Sequence, residues 1–468
     1  MKTVVQPALF VLLLSLFAPA PMVAQPPAPI ETGYQLPPKA IVDVLDAPPP
    51  PTVVMSPALN VMALLDRAGM PRIADLAEPM LRLAGVRVNP KTNAPHSPAL
   101  IQGITFKRLA DGAETKVVLP PNVRLSAPAF SPDGKWLSFM ISRANGVELW
   151  VADVASAKAR AVTAAAINAL GGCGWLQDSS AMLCHFIVAG RGPAPAPPAV
   201  PAGPRIQENI GKAAPAPTYQ DLLTSAHDEA LFEYYFTSQL ATVTPAGVTA
   251  PIGKPAIFGT ALMSPDGRYV LVSRIKRPFS RLVTAGEFPA DVEVWSRKGD
   301  LVRKIGEEPI GEGVPIGGVN VGPRSYRWHP TQLAGVVWVE ALDGGDPKAK
   351  VPARDRVLGL WAPFTGEPTE LAKTEFRFSN VMFTEKTGVP VLTESDRATR
   401  ITRTWVFDQG NVPRKLWERK QQDRYGDPGM PVMRPGKGAI LQAGDAIYLS
   451  GNGASPQGDR PFLDRLDL

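Results

Sequence analysis

The first residues to consider are those that could act as nucleophiles, and serine is the most common of them in the motif below. A nucleophile elbow, Gly-x-Ser-x-Gly, needs glycine two positions before and two positions after the serine, because the strand-to-helix turn is sharp. No serine here meets this requirement: Ser455 has Gly453 before it but Gln457 after it. Walker and dinucleotide-binding glycine patterns and the His-Glu-x-x-His zinc motif are also missing from the sequence. We therefore expect no catalytic residue and no cofactor site that could be named in this chain.

The histidines and cysteines do not form a metal-binding pattern. Zinc sites use cysteine and histidine pairs at short, fixed spacings. The candidate ligands instead lie apart in the sequence: Cys173, Cys184, His96, His185, His227 and His329. We expect no metal site, and we predict that each histidine is a surface or packing residue.

The two cysteines flank a sequence that predicts a β-hairpin turning at Asp178-Ser179. A register that pairs Trp175 with Met182 places Cys173 directly opposite Cys184, with Cβ atoms close enough for a bridge. Two interpretations remain open at this point, a cross-strand disulfide and a pair of buried thiols.

Composition excludes several classes of protein. Of the 468 residues, 45% are hydrophobic and 20% are charged, as in ordinary folded proteins. The 51 prolines and 41 glycines exclude an all-helical bundle, since both residues break helices. The formal net charge is +6, but basic residues alternate with acidic ones and form no basic stripe of the kind that binds nucleic acids. We therefore expect no nucleic-acid partner.

One turn motif recurs along the chain. Residues 129–139 and 261–272 both contain an apolar strand, the turn Ser-Pro-Asp-Gly and a second, alternating strand. Proline presets φ, aspartate bonds the local backbone and glycine accepts positive φ, so this sequence specifies a turn. Degenerate copies bring the number of motifs to seven, and they lie at residues 54–57, 175–178, 328–330, 383–388 and 433–436.

A strand that carries an aromatic residue recurs between the turns. It occurs at residues 148–153, 292–295, 359–361 and 403–408, each time followed by a polar turn and a short strand. Each repeat thus holds four antiparallel strands, and the closest motifs lie about 45 to 55 residues apart, near the length of a propeller blade. We predict an all-β fold, a β-propeller of seven four-stranded blades with eight as the alternative count, the last blade being incomplete. A β-sandwich, the competing architecture, would not repeat one turn chemistry at a fixed period.

The first residues have the pattern of a secretory signal peptide. Lys2 precedes an apolar run at residues 8–17, and small residues follow around Ala20 and Ala24. The run is too short to span a bilayer comfortably, and no other stretch approaches the length of a transmembrane helix. We predict cleavage after Ala24, with Ala20 as the alternative site, and a periplasmic or secreted protein with no membrane span after signal removal. An uncleaved anchor is the competing interpretation.

The predicted organisation is a signal peptide at residues 1–24, a Pro-rich lead-in segment at 25–52 and the propeller at 53–468. A Pro-rich insertion at about 189–217 interrupts the propeller and is predicted to be an extended spacer loop. Residues 219–235 mix helix formers with aromatic residues and predict a short helix and strand on the rim or a face.

Three acids of that helical segment are candidates for binding, because loops on propeller faces recognise partners. Asp228, Glu229 and Glu233 either hold a cation or a peptide amine, or belong to a solvated helix face.

Longer segments resemble a known family. They lie at residues 41–51, 207–223, 232–240, 425–429 and 455–466, and they include Phe-Glu-Tyr-Tyr-Phe-Thr-Ser-Gln-Leu and Tyr-Gly-Asp-Pro-Gly. In these segments the chain resembles the N-terminal part of an exported serine peptidase of the prolyl oligopeptidase family, glutamyl endopeptidase-like branch. The resemblance implies a propeller that caps a C-terminal α/β-hydrolase domain with a Ser, Asp and His triad, and peptide substrates.

The sequence departs from that family where it ends. It stops at Leu468, inside a predicted strand, and no α/β-hydrolase domain follows. We expect a truncated chain or a separately encoded hydrolase, and a substrate-gating propeller that is not catalytic by itself. The alternatives are a stand-alone periplasmic propeller that acts as a binding or assembly scaffold, and a complete propeller enzyme with its site in the central channel.

Overall fold

The computed structural model describes residues 36–200, 203, 219–407 and 412–468. The predicted signal peptide and most of the predicted Pro-rich insertion lie outside these residues. Two compact units are present, Met1–Ala47 and Pro48–Leu468. The first contains α1 (Lys39–Leu45), which buries none of its residues and carries an ion pair between Lys39 and Asp43. None of the helices in the described ranges has the length and apolar character needed to cross a membrane.

The larger unit begins with two linked blades. Blade 1 starts with β1 (Thr52–Met55) and β2 (Val61–Arg67), then carries an insertion of α2 (Ile73–Leu76), β3 (Leu81–Leu83), β4 (Val86–Asn89) and β5 (Ala94–Pro95), and ends with β6 (Ile101–Arg108) and β7 (Glu114–Lys116). Blade 2 consists of β8 (Leu125–Phe130), β9 (Trp136–Arg143), β10 (Gly146–Asp153) and β11 (Ala159–Ala161). Successive strands in each blade pair antiparallel.

Blades 3 and 4 share one long strand. Blade 3 contains β12 (Cys173–Trp175), β13 (Met182–Ile187), the helix α3 (Ala226–Phe236), β14 (Thr237–Val243) and the first half of β15 (Thr249–Met263). The second half of β15 opens blade 4, which continues with β16 (Tyr269–Ile275), β17 (Ala290–Ser296) and β18 (Leu301–Glu308).

The remaining blades follow as separate sheets. Blade 5 contains β19 (Arg324–Trp328), β20 (Gly335–Ala341), β21 (Asp355–Trp361) and β22 (Thr369–Thr374), and blade 6 contains β23 (Arg377–Phe383), β24 (Pro390–Asp396), β25 (Ile401–Phe407) and β26 (Pro413–Lys420). Blade 7 contains β27 (Met430–Pro431), β28 (Gln442–Ala443), β29 (Ala446–Gly451) and β30 (Phe462–Asp467). In blade 7, β27 and β28 share one edge of β29 and β30 covers the other, so this sheet is three strands wide.

Six hydrophobic cores lie in series between successive blades, from the pair 1–2 to the pair 6–7. Side chains alternate between the two faces of each strand, so one strand contributes to two cores. In β9, Leu137 and Phe139 pack toward blade 1, whereas Met140 packs toward blade 3. A sandwich has one core between two sheets. The structure therefore confirms the predicted β-propeller with an incomplete last blade, and the described residues form seven blades.

Candidate functional site

The seven turn motifs all connect the first strand of a blade to its second strand, so they lie at one end of the ring. In the two complete copies a buried serine organises the turn. Ser131 Oγ contacts Asp133 Oδ1 at 2.6 Å and accepts from the amide of Trp136 at 3.0 Å, and Ser264 repeats both bonds at the same distances with Asp266 and Tyr269. The turns are therefore rigid elements that set where each first strand ends.

Hydrogen bonds between first strands hold the inner wall together. Trp175 on β12 donates from Nε1 to the carbonyl oxygen of Ala129 on β8 at 3.1 Å. Trp328 on β19 donates to the carbonyl oxygen of Leu262 on β15 at 2.8 Å. An aromatic residue at the end of a first strand thus joins its blade to the preceding one.

First strands of blades 3 to 6 and the turn after β27 in blade 7 converge on one cavity of about 630 Å³. One lining residue from each of blades 3 to 7 illustrates this arrangement: Trp175, Leu262, Trp328, Val381 and Met433. Leu262 is 43% exposed although it lies on the inner strand β15, and Met433, which follows β27, is 38% exposed. Because only a space near the ring axis can touch the inner edges of five successive blades, this cavity lies on the axis, and we call it the axial channel.

Arg327 and Lys437 are the charged residues that line this cavity in the described part of the chain. Arg327 donates from Nη1 to the carbonyl oxygen of Val381 at 2.7 Å and to Asn380 Oδ1 at 3.2 Å. Burial lowers the pKa of the Arg327 guanidinium, because desolvation disfavours its charged form. Most of the other lining residues are apolar or aromatic, so the channel wall combines an apolar surface with two basic side chains.

A contact across the ring narrows the turn end of the channel. Gln177 of blade 3 donates from Nε2 to the carbonyl oxygen of Gly436 of blade 7 at 3.4 Å, although these blades are not neighbours. Gly436 has a φ of +72° and lies against Pro57 of blade 1; a Cβ there would come within 2.9 Å of the Pro57 ring. Three turns thus meet at this mouth.

A second structure, which we call the cap, lies at the opposite end of the blades, where second strands connect to third strands. Its core combines Leu83 and Val88 from the insertion of blade 1, Phe232 and Tyr235 from α3, and Phe288 from the loop between β16 and β17. The Phe232 and Phe288 rings lie 5.5 Å apart, edge to face. The cap thereby joins loops of blades 1, 3 and 4.

A buried polar cluster fixes the cap to the ring. Asn93 and Asn168 bond each other at 2.9 Å, and both donate to the carbonyl oxygen of Tyr235, at 3.1 and 2.9 Å. Arg191 donates to Asn93 Oδ1 at 2.8 Å and lies over the Tyr234 ring, 4.1 Å from its centroid. These contacts satisfy amide groups that are almost fully buried, as buried polar groups require.

The cysteines lie opposite each other in the register that the hairpin sequence predicts. Trp175 pairs with Met182, and Cys173 pairs with Cys184 with a Cα–Cα distance of 4.1 Å. A disulfide joins their sulfurs in the structure, and no free cysteine is present in the described residues.

Two histidines pack in the interior. His185 is buried between blades and its Nδ1 lies 3.0 Å from Ser238 Oγ. The His329 ring lies 3.9 Å from the Phe383 ring. Burial lowers the pKa of both imidazoles to about 4. Within the described ranges, no group of three or more histidine, cysteine or acidic side chains is arranged to hold a metal ion.

The acids of α3 form ion pairs and a hydrogen bond at the protein surface. Glu229 pairs with Arg277 and Arg281, at 3.0 and 2.9 Å, and Glu233 pairs with Arg277 at 2.9 Å. Asp228 accepts from the amide and hydroxyl of Thr224, and its own amide donates to Ser225 Oγ, which caps the start of the helix. Glu233, Arg277 and Arg281 have side chains that are 43%, 52% and 49% exposed, so these ion pairs lie on a solvated face of the helix. Binding of a cation or a peptide amine by these acids stays a prediction.

Sequence reasoning missed a cluster of tryptophan, glutamate and arginine that joins second to third strands. It occurs in four blades: Arg143–Glu148–Trp150, Arg274–Glu293–Trp295, Trp338–Glu340–Arg356 and Glu394–Arg403–Trp405. In blade 4, Glu293 accepts from Trp295 Nε1 at 2.7 Å and from Arg274 Nη2 at 2.7 Å. A glutamate two positions from a tryptophan, hence on the same strand face, is the signal that could have found it in three of these blades.

The fold and the channel together define this chain as a β-propeller domain with an axial channel. No protein-family model matches it. The chain is 37% identical to a protein of Oryza sativa subsp. japonica named "Probable glutamyl endopeptidase, chloroplastic", over 93% of this chain and 50% of the relative. It is 36% identical to the protein of the same name from Arabidopsis thaliana, over 94% of this chain and 49% of the relative. The chain belongs to the prolyl oligopeptidase family, in its glutamyl endopeptidase-like branch, and spans about half the length of the curated relatives it matches.

Among solved structures, the β-propeller domain of the Trilobed protease from Pyrococcus furiosus aligns with a TM-score of 0.43. The alignment has 10% sequence identity and covers 90% of this chain and 95% of that domain.

Proposed function

We propose that this chain is the part of a serine peptidase that restricts access to the active site, and that it is not catalytic by itself. The axial channel carries this proposal: first strands of blades 3 to 6 and the turn of blade 7 line it, and hydrogen bonds join first strands across blade boundaries. An extended peptide fits a space of about 630 Å³, whereas a folded domain does not. The sequence also lacks a serine in a nucleophile-elbow context.

The substrates that we propose are peptides. Arg327 and Lys437 give the channel wall a positive potential, which favours negatively charged peptide segments over positively charged ones. The names of the two relatives as glutamyl endopeptidases agree with this preference.

We also propose that the protein works in the periplasm or outside the cell. The leader pattern at residues 2–24 supports export, and the disulfide between Cys173 and Cys184 fits an oxidising compartment. Amino-terminal sequencing of protein recovered from the periplasmic fraction tests this proposal. A mature protein that begins after Ala24 or Ala20 supports it, and an intact leader on cytoplasmic protein contradicts it.

The catalytic part of the proposal is tested with the purified chain and peptides that contain glutamate at the cleaved position. We expect no hydrolysis and no labelling by a serine-reactive fluorophosphonate. Turnover that the fluorophosphonate abolishes would overturn the non-catalytic assignment.

The reading frame after codon 468 distinguishes the peptidase from the alternative scaffold function. An in-frame or adjacent sequence that encodes Gly-x-Ser-x-Gly supports the peptidase. An unrelated neighbour supports a stand-alone propeller that binds or assembles partners.

A further inference from the structure

We propose that a cleft between blades 5 and 6 binds a small oxyanion, a carboxylate or phosphate group, through Arg354 and Arg397. This site is independent of the channel and of the proposed peptidase function. It lies at the ends of the blades where second strands connect to third strands, opposite the turn motifs.

The cleft has a volume of about 310 Å³, which suits a small organic acid or a phosphate better than a peptide. Its charged and polar lining comes from five residues: Arg354, Arg377, Ser395, Asp396 and Arg397. The lining of this cleft therefore contains three arginines and one aspartate.

The network beneath the cleft has more positive than negative groups. Asp343 and Asp355 have fully buried side chains. Asp343 accepts from Arg354 at 2.9 Å and from Arg377, and Asp355 accepts from Arg377 at 2.7 Å and lies 2.7 Å from Arg324 Nη2. Three guanidinium groups thus surround two carboxylates, which leaves one positive charge in excess.

The guanidinium group of Arg324 lacks hydrogen-bond partners in this network. Both of its terminal nitrogens are buried, and neither forms a hydrogen bond of acceptable geometry within the described residues despite the contact with Asp355. Arg324 does not line the cleft, but it shares Asp355 with Arg377, which does, so the positive excess of the network extends to the cleft wall.

Arg354 and Arg397 retain free donors that reach the cleft. Arg354 uses Nη1 for its contacts with Asp343 and Asp346, and its Nε and Nη2 are not engaged by any described residue. Arg397 is exposed and lies across Gly317, where an added Cβ would come within 3.0 Å of its Cδ, and none of the ion pairs among the described residues involves it. Asp396 is ionised, because hydrogen bonds from the hydroxyl and amide of Thr399 and the charge of Arg354 lower the pKa of its carboxyl group. It offsets one positive charge of the cleft, but it forms no hydrogen bond with Arg397 among the described residues.

The planar, forked guanidinium suits an oxyanion that accepts two parallel hydrogen bonds. Carboxylate and phosphate groups both have this geometry, so the cleft could bind a ligand that carries either group. Inorganic phosphate and succinate are therefore the two probes, one for each group.

The test measures binding of phosphate and of succinate to the purified chain by isothermal titration calorimetry at constant ionic strength. We expect a single site that Arg397→Gln weakens at least about tenfold, the usual effect of losing a charge-assisted hydrogen bond. Arg400→Gln is the matched control, because it removes the same charge from an exposed position of the same loop and does not line the cleft. It should bind as the unmodified protein does.

Each outcome is decisive. Binding of phosphate alone, succinate alone or both, with loss in Arg397→Gln, supports the site and identifies the preferred group. Absence of binding at millimolar concentrations overturns the proposal. Equal affinities of the Arg397→Gln and Arg400→Gln variants also overturn it, and the unfolding midpoint of each variant shows that it is folded.

Discussion

Arg327 on the first strand of blade 5 donates a hydrogen bond of 2.7 Å to the carbonyl oxygen of Val381 on the first strand of blade 6. The bond lies in the wall of the channel and crosses a blade boundary. The same side chain therefore gives the channel wall a positive charge and joins blade 5 to blade 6.

We predict that Arg327→Ala lowers the free energy of unfolding by about 1–3 kcal/mol, because the Val381 carbonyl and the Asn380 side chain lose their donor. Urea denaturation provides the measurement. Arg414→Ala, at an exposed position of β26, is the control and should change the free energy by less than about 0.5 kcal/mol. Equal effects of the two substitutions would show that the inter-blade bond contributes no stability.

Glu293 of blade 4 should be more important for stability than an exposed glutamate. It is nearly buried and accepts from both Trp295 and Arg274. We predict that Glu293→Gln destabilises the fold by about 1–3 kcal/mol, since the ion pair with Arg274 is lost and Trp295 no longer donates to a charged acceptor. Glu370→Gln, which breaks an exposed pair with Lys373, should cost at most about 0.5 kcal/mol. Thermal and urea unfolding of both variants measure the difference, and similar losses would contradict the assigned role.

The disulfide should stabilise the hairpin of blade 3. Its closed loop has a sequence separation of 11, for which chain-entropy arguments give about 2–3 kcal/mol. We expect no reactive thiol in the denatured, unreduced protein, and dithiothreitol should lower its free energy of unfolding. The Cys173→Ser/Cys184→Ser double variant is the control, because the reductant should not affect it. Two thiols that titrate without reduction would contradict the bridge.

Stability should fall as the pH drops from 7 to 5, because His185 and His329 are neutral in the folded protein. Burial lowers their pKa from 6.5 to about 4, so below about pH 6.5 the unfolded chain binds protons that the folded chain does not. Each histidine should remove about 2 kcal/mol by pH 5. Burial also raises the pKa of Glu308, which has the opposite effect on this slope.

The histidine contribution is isolated with His185→Gln and His329→Gln. Each variant should show a shallower loss of unfolding free energy between pH 7 and 5 than the unmodified protein. Measurements at pH 8, where both imidazoles are neutral in either state, correct for any general loss of packing. Unchanged slopes would refute the assignment.

The repeat was predictable from sequence because its signals are local. The turn at Ser131 is specified by four consecutive residues, and its buried serine repeats at Ser264. Even blade 7, with two-residue strands β27 and β28, has its turn where the motif at residues 433–436 predicts it.

The inter-blade contacts were not predictable, because their partners come together only in the folded ring. Arg191 and Asn93 are 98 residues apart, and the insertion of blade 1 that carries Asn93 has no repeat signal. Arg327 is likewise defined by Val381, 54 residues later and on another blade. Packing of whole blades, rather than local propensity, determines these contacts.

The most direct test of the channel is the rate at which a cysteine on its wall reacts with maleimides of different size. Leu262→Cys lies on an inner strand yet is accessible to solvent, and Leu463→Cys on β30 is the exposed control; the native cysteines are held in the disulfide. A channel that excludes folded proteins predicts that a small maleimide labels both variants, whereas a long polyethylene-glycol maleimide labels only Leu463→Cys readily. Equal labelling of the two variants by the large reagent would contradict a restricting channel.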